Sequence, residues 1–406
     1  MEETGLGQLK VLLVDDDDFM LDLLIVTLNG IGVTNVTTAC EGEQALRIMD
    51  MHPGGHFDGI LCDLNMPRMD GLEVLGHLAD RKYQGGVILI SGVDSRVLNA
   101  AHELAEARLL NVLGALDKPI SKALLTGLLH QLELPASSQE LSSDEDVIAE
   151  SAPVIINDDM VQIYFQPRVT IATRKIAGVE VLARWRDANN KTVRPDGFID
   201  LSLEHGHREE DELIGALADI VCRQAIRQGG TWRKAGQKLS VSMNISIEHL
   251  ARADFPNVLI AIANRYELEA KHIIMGVDEN QILRNPTMSL EIISRLRLKG
   301  VGLSIESFTI DSTILETMKS IPFTLLKVGR ELLNRAATDQ SVRQPLESEI
   351  GLAREMGLAL IAEDIETERD WELADQFGCD FAQGGFIGRP LQAEGFDAWM
   401  KEAKWS

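Results

Sequence analysis

The chain has 406 residues, 45% of them apolar, and a formal net charge of −24. That length suits two or three domains with real cores. The acidic balance excludes DNA and other nucleic acids as expected partners, because a phosphate backbone needs basic patches. The first ten residues, MEETGLGQLK, lack the basic start and apolar core of a signal peptide. No apolar run approaches the roughly 18 residues that span a bilayer, so a cytoplasmic protein without membrane insertion is expected. Cys40, Cys62, Cys222 and Cys379 are scattered without a CxxC spacing and read as buried thiols.

From the N-terminus, apolar runs alternate with amphipathic stretches: VLLVD, then Phe19–Leu28, VTTAC, Gly42–Met49 and GILCD, with the pattern continuing to Leu132. Five such βα units predict a doubly wound parallel sheet over residues 8–133. In such a sheet the strand ends share one edge, where ligand sites form. Here that edge would collect Asp15 and Asp16 after VLLV, Asp63 after GILC, Ser91 ending VILIS and Lys118 in ALDKP. Crowded carboxylates repel one another and call for a cation, and Mg²⁺ takes oxygen ligands of this kind. The adjacent hydroxyl and ammonium suit a phosphoryl group.

The constellation resembles the receiver domain of bacterial response regulators, a flavodoxin-like fold. The resemblance implies that Asp63 accepts a phosphoryl group from a cognate histidine kinase. Mg²⁺ would be held by Asp15, Asp16, Asp63 and the backbone carbonyl of Asn65. Ser91 and Lys118, the latter before Pro119, would pair with the phosphoryl group. Ala115 stands where many receivers carry a switch aromatic, so an aromatic flip is not expected.

Residues 134–157, rich in Ser, Asp and Glu, have the chemistry of a linker. Over 158–402 eight strand-like segments follow: YFQPRV, VEVLARW, LSVSMNIS, IIMGVDE, GLSIES, FTLLKV, LALIAED and DFAQGGF. Helical patterns separate most of them; Leu213, Ile214, Leu217, Ile220 and Val221 share one helix face. Eight alternations suit a TIM-like (β/α)₈ barrel with its chemistry at the C-terminal strand ends. His205 and His207 in EHGH read as an exposed loop.

Several of these segments resemble the EAL domain, the barrel phosphodiesterase that linearises cyclic di-GMP. Glu180, Val181 and Leu182 stand at the EAL motif. Asn244, Lys327, Glu363, Glu366 and Gln383 match further motif positions, and Gln166-Pro167 opens the domain. The resemblance implies two-metal phosphodiester hydrolysis, in which the cations activate a water. Three motif positions depart from the pattern. Gly276 replaces a glutamate ligand, with Asp278 and Glu279 belonging to later places in the motif. Glu306-Ser307 replaces an Asp-Asp pair, and Gly329 replaces an aspartate. The loop Ser307-Phe308-Thr309-Ile310-Asp311 has β-branched residues where glycine would permit positive φ. If the metals supply about 8 kcal/mol of transition-state stabilisation, losing them costs about 10⁶ in rate. A catalytically inactive barrel with no metal is therefore expected, with Glu180, Asn244, Glu306, Lys327, Glu363 and Gln383 as vestiges of the site.

Retained Arg184, with Gln166, Leu182, Arg389 and Pro390, leaves cyclic di-GMP open as a ligand. Glu180 and Arg184 can equally be a buried ion pair kept for the fold. Three outputs follow: a regulatory barrel that contacts an unknown protein partner, a cyclic di-GMP sensor that binds without cutting, and a phosphodiesterase with a rearranged metal site. By resemblance a homo-oligomer is expected.

Overall fold

A computed structural model describes residues 5–51, 57–92, 95–133, 161–186, 192–193, 208–252, 254–284, 286–306, 308 and 322–402. The expected linker, the His205 and His207 loop, Ser307 and Asp311 lie outside these residues. The chain divides into two compact units, one mainly up to Val147 and the other mainly from Ile148 onward.

In the first unit the strands are β1 (Lys10–Val14), β2 (Asn35–Ala39), β3 (Gly59–Asp63), β4 (Gly86–Ser91) and β5 (Asn111–Asp117), all parallel, in the order β2-β1-β3-β4-β5. β3 and β4 are buried along their whole length, as their unbroken apolar runs require when helices cover both faces. Helix α1 (Asp18–Asn29) buries Leu21, Leu24 and Leu28. Asp17 caps α1 by accepting the Phe19 N–H at 2.9 Å, as an N-terminal aspartate does. The strand order reverses direction between β1 and β3, so a crevice opens outside their carboxyl ends.

In the second unit eight strands close into a barrel: β6 (Val161–Thr170), β7 (Ile176–Arg186), β9 (Ser240–Asn244), β10 (Ile273–Asp278), β11 (Gly302–Glu306), β12 (Leu325–Gly329), β13 (Ala359–Glu363) and β14 (Phe381–Gln383). The two-residue β8 (Thr192–Val193) adds to the edge of β7. These eight strands match the eight segments expected from the sequence. The order is not that of a uniform (β/α)₈ barrel, however. β6 pairs antiparallel with both β7 and β14, while the other contacts around the ring are parallel. Only Ile171–Lys175 separates β6 from β7, too short for the dozen residues a parallel crossover needs, so the pair must be a hairpin.

Inside the barrel the side chains form layers, as alternation along each strand dictates. Ile274, Leu325 and Ile361 make an apolar floor. Arg168, Ser242, Ser304 and Lys327 are buried as well, and the carboxyl ends of the parallel strands carry Asn244, Glu306, Glu363 and Gln383. Gly384, at φ +152°, lets the chain after β14 press against the Ile365 backbone, where no Cβ would fit. Ile365 N–H then donates to the Gln383 carbonyl at 3.0 Å, which fixes the end of that strand.

Gly71, at the start of the helix Gly71–Asp80, does similar work beside Asp63. A Cβ there would lie inside 3.0 Å of the Asp63 carbonyl oxygen and of Leu64 Cα, which are backbone atoms with little room to yield. Gly71→Ala is expected to destabilise the first unit by about 1–3 kcal/mol, as overpacking does. Denaturant unfolding checks this; an unchanged midpoint would show that the loop after Asp63 is free to shift.

Candidate functional site

Two clusters of carboxylates stand out among the described residues: Asp15, Asp16 and Asp63 in the first unit, and Glu180, Glu306 and Glu363 in the second. Within each, one oxygen from every residue lies within 4.8 Å of the others.

The first cluster sits at the carboxyl ends of β1 and β3. Asp15 and Asp63 are buried and Asp16 is exposed, so the group opens to solvent on one side. Lys118 Nζ bridges the two buried acids, at 2.8 Å from Asp15 Oδ2 and 2.9 Å from Asp63 Oδ1. Burial pushes the Asp63 carboxyl up, against the pull of Lys118. For Lys118 burial works to lower its pKa, but its bonds to Asp15 and Asp63 outweigh that and raise it. Asp63 Oδ2 accepts the Asn65 N–H at 3.1 Å, and Asp15 Oδ1 accepts the Asp17 N–H at 3.0 Å. Buried Ser91 ends β4, and its carbonyl accepts the Lys118 N–H at 2.9 Å. The Lys118–Pro119 bond is cis. Ala115 is exposed on β5. All the residues singled out in this unit thus converge on one strand edge. Three hard oxygen donors in a half-open cluster fit a divalent cation.

Cys62, beside Asp63, is buried, and burial raises its thiol pKa far above the ordinary range. Cys222 and Cys379 are buried as expected, but Cys40 is exposed. It follows the end of β2 at the rim, where its N–H donates to Gln44 Oε1 at 2.7 Å instead of packing inward.

The second cluster is organised differently. Lys327, 1% exposed, donates to all three glutamates: Glu180 Oε1 at 2.9 Å, Glu306 Oε2 at 2.6 Å and Glu363 Oε1 at 2.9 Å. Glu180 also accepts from Asn244 Nδ2 at 2.9 Å and from Gln383 Nε2. Burial acts to raise the Glu180 carboxyl, but these donors, Lys327 first, hold it below the usual range. Glu306 accepts from Ser304 Oγ at 2.6 Å; burial and the neighbouring Glu180 push it up despite Lys327. Glu363 is pushed up to about 7 by burial, with Glu306 and Glu180 adding to the effect.

Position 276 faces this cluster. A Cβ on Gly276 would fall inside 3.0 Å of Asn244 Oδ1 and Glu306 Oε1, so those side chains occupy the space that a longer residue would use. Gly329 is different: a Cβ there meets nothing within 4 Å. Arg184 does not pair with Glu180; its Nη1 donates to the Ala183 carbonyl at 2.7 Å, and the cation on Glu180 is Lys327. Leu182 and Arg184 are half-buried near the carboxyl end of β7. Gln166 reaches the Gly388 carbonyl at 3.4 Å, Arg389 and Glu366 are exposed, and Pro390 is half-buried.

Sequence reasoning missed Arg168. It is 2% exposed and lies in the barrel, donating to Ser242 Oγ at 2.8 Å and Ser240 Oγ at 2.7 Å. Burial pulls its pKa down to about 10, while the charges of Glu180, Glu306 and Glu363 act the other way. The available signal was the alternation of β6, which puts residue 168 on the same face as Gln166.

The position of Glu363 has a pH consequence. Its folded pKa lies above its unfolded value, so its contribution to stability is complete at low pH and is lost as pH rises through about 7. Between pH 6 and pH 8 the barrel is expected to lose roughly 1 kcal/mol, and Glu363→Gln should flatten that slope. Unfolding curves at the two pH values check this. A slope that survives in Glu363→Gln would place the titration on another group.

A family model for the response regulator receiver domain matches residues 11–130, and one for the EAL domain matches 149–390. The cyclic di-GMP phosphodiesterase RocR of Pseudomonas aeruginosa is 27% identical over 402 residues, covering 96% of this chain and 98% of that protein. The bifunctional diguanylate cyclase/cyclic di-GMP phosphodiesterase MucR of the same organism is 30% identical, over 57% of this chain but only 33% of its own length. Among solved structures, a complex of the PaMucR phosphodiesterase with c-di-GMP aligns with a TM-score of 0.53 and 29% identity, covering 59% of this chain and 94% of that one. No helix among the described residues is long and apolar enough to cross a membrane. The chain is a member of the EAL domain family, with a response regulator receiver domain ahead of the EAL domain.

Proposed function

We propose that this chain is a response regulator phosphorylated on Asp63, whose EAL barrel does not hydrolyse cyclic di-GMP and acts instead as a regulatory, protein-contacting output. The observation that carries the barrel's half of this reading is Gly276, which offers no side-chain donor and whose flank is filled by Asn244 Oδ1 and Glu306 Oε1. Two-metal hydrolysis needs cations at the focus of such ligands. Here Gly276 and Ser307 supply neither of the carboxylates that the family's motif places there, and the carboxylates that remain are Glu180, Glu306 and Glu363. The barrel therefore falls short of the donor set that the metal pair of the family's reaction uses.

The receiver residues do fit their cation. Asp15, Asp16 and Asp63, with the Asn65 carbonyl, would hold Mg²⁺, which supplies charge neutralisation at the phosphoryl group. Asp63 is the acceptor because its carboxylate is buried between Lys118 and the open side of the cluster. Lys118 would hold one phosphoryl oxygen and Ser91 another. The donor is a cognate histidine kinase, and the phosphorylated state biases how the output is presented or how the chain self-associates.

A second reading, binding of cyclic di-GMP without cleavage, draws on Arg184 and Leu182 near the carboxyl end of β7 and on exposed Arg389. It also draws on the nucleotide complex of the related PaMucR phosphodiesterase.

Acetyl phosphate with Mg²⁺ is expected to label the wild type and not Asp63→Asn. Label that persists in Asp63→Asn would overturn the assignment. Calorimetric titration of cyclic di-GMP into the full chain separates the two output readings. Silence with and without Mg²⁺ supports the protein-contacting barrel, whereas metal-independent binding lost in Arg184→Ala would select the sensor.

A further inference from the structure

Four strands bring oxygen atoms to one place in the barrel. Glu180 on β7, Glu306 on β11 and Glu363 on β13 set carboxylate oxygens within 4.8 Å of one another. Gln383 on β14 is 3% exposed and turns its Nε2 to Glu180, which leaves its Oε1 buried without a hydrogen-bond partner. A buried carbonyl oxygen with nothing to accept loses its hydration for no return, so it marks a place where a donor or a cation belongs. Lys327 uses one oxygen of each glutamate, and every carboxylate therefore has a second oxygen to offer. Three carboxylates and one ammonium leave a formal charge of −2 among these groups. Arg168 acts on them only through space, because its guanidinium is bonded to Ser240 and Ser242.

From this geometry we propose that the barrel takes one divalent cation where the family's reaction uses two, with Glu180, Glu306, Glu363 and Gln383 Oε1 as its oxygen donors. The proposal rests on the non-hydrolysing reading above, gives it a stoichiometry and replaces the expectation of a metal-free barrel. Hard oxygen donors of this kind suit Mg²⁺ or Mn²⁺. One such ion cancels the formal charge that Lys327 leaves on the carboxylates. A second would give the same interior a net positive charge, which low dielectric makes costly. Gly276 sets that limit. Gly276 on β10 lies beside Ser304 on β11, two residues before Glu306 and on the same face of the strand. A Cβ on Gly276 would fall inside 3.0 Å of Glu306 Oε1 and Cδ, so Glu306, one methylene longer than aspartate, extends into room that a glutamate at 276 would need. The departures at 276 and 306 are therefore coupled: β10 gives up a carboxylate, and the carboxylate of β11 reaches towards that strand. A single ion neutralises the cluster but cannot clamp both the attacking and the leaving oxygen as a metal pair does.

Electron paramagnetic resonance counts tightly bound Mn²⁺ on the full-length chain. The wild type is expected to hold two ions, one in each acidic cluster, and Asp15→Asn, which disables the receiver cluster, to hold one. Adding Glu306→Gln to Asp15→Asn should remove that last ion, with the fold checked by circular dichroism. An Asp15→Asn chain that holds no Mn²⁺, or that holds two, overturns the proposal. So does an ion that survives Glu306→Gln. If the double variant does not fold, Gln383→Leu takes the place of Glu306→Gln; Mn²⁺ affinity at least tenfold weaker is expected, and unchanged affinity overturns the proposal. Gly276→Glu combined with Glu306→Asp and Ser307→Asp should gain one ion over the wild type, and an unchanged count in that folded chain overturns the part given to Gly276. Wild-type turnover of cyclic di-GMP would overturn the non-hydrolysing reading and leave a count of one barrel ion standing. No turnover together with no barrel ion would overturn only the cation site.

Discussion

The interaction on which the barrel depends is the ammonium of Lys327 inside its ring of three glutamates. Burying one carboxylate is costly, and setting two half-buried ones within a few ångströms of buried Glu180 is untenable unless positive charge comes with them. Every other feature of the site answers to that constraint. Asn244 and Gln383 donate to Glu180, Ser304 donates to Glu306, and Arg168 adds its charge from the opposite strand. Glu363, which keeps only a share of Lys327, is left with a pKa near neutrality. The antiparallel entry of β6 is part of the same solution, since it brings Arg168 beside Ser240 and Ser242.

The receiver solves a related problem in the other direction. There Lys118 bridges Asp15 and Asp63 but leaves Asp16 exposed, so the cluster is short of positive charge and open to solvent. An open, under-neutralised cluster of this kind suits a cation and a phosphoryl group. One chain thus holds two acidic clusters, each with a lysine bonded to its carboxylates.

Much of this was legible in the sequence. Apolar runs ending in Asp15, Asp63, Ser91 and Lys118 located four strand ends, and a parallel sheet leaves only one edge for them to share. The eight barrel strands were legible as short apolar or alternating segments separated by helical patterns. Pairing was not. Nothing in the local pattern says that Lys327 reaches three acids on three different strands, or that Glu180 pairs with Lys327 and not with Arg184 four residues along the same strand. Such contacts follow from barrel register, which depends on how all eight strands close. Arg168 was missed because a charged residue after Gln166-Pro167 reads as solvent-facing until closure puts it inside. Cys40 was misjudged because a strand end at a rim is less buried than the strand. The hairpin of β6 and β7 could have been read from the nine residues, 170–178, between YFQPRV and VEVLARW, since a parallel crossover does not fit that length.

The most direct test is turnover of cyclic di-GMP by the purified full-length chain in Mg²⁺ and in Mn²⁺, with and without acetyl phosphate. The expected result is that the cyclic dinucleotide remains intact in all four conditions. Steady formation of the linear dinucleotide, abolished by Glu180→Ala, would contradict it and would mean that the remaining carboxylates suffice for the family's reaction.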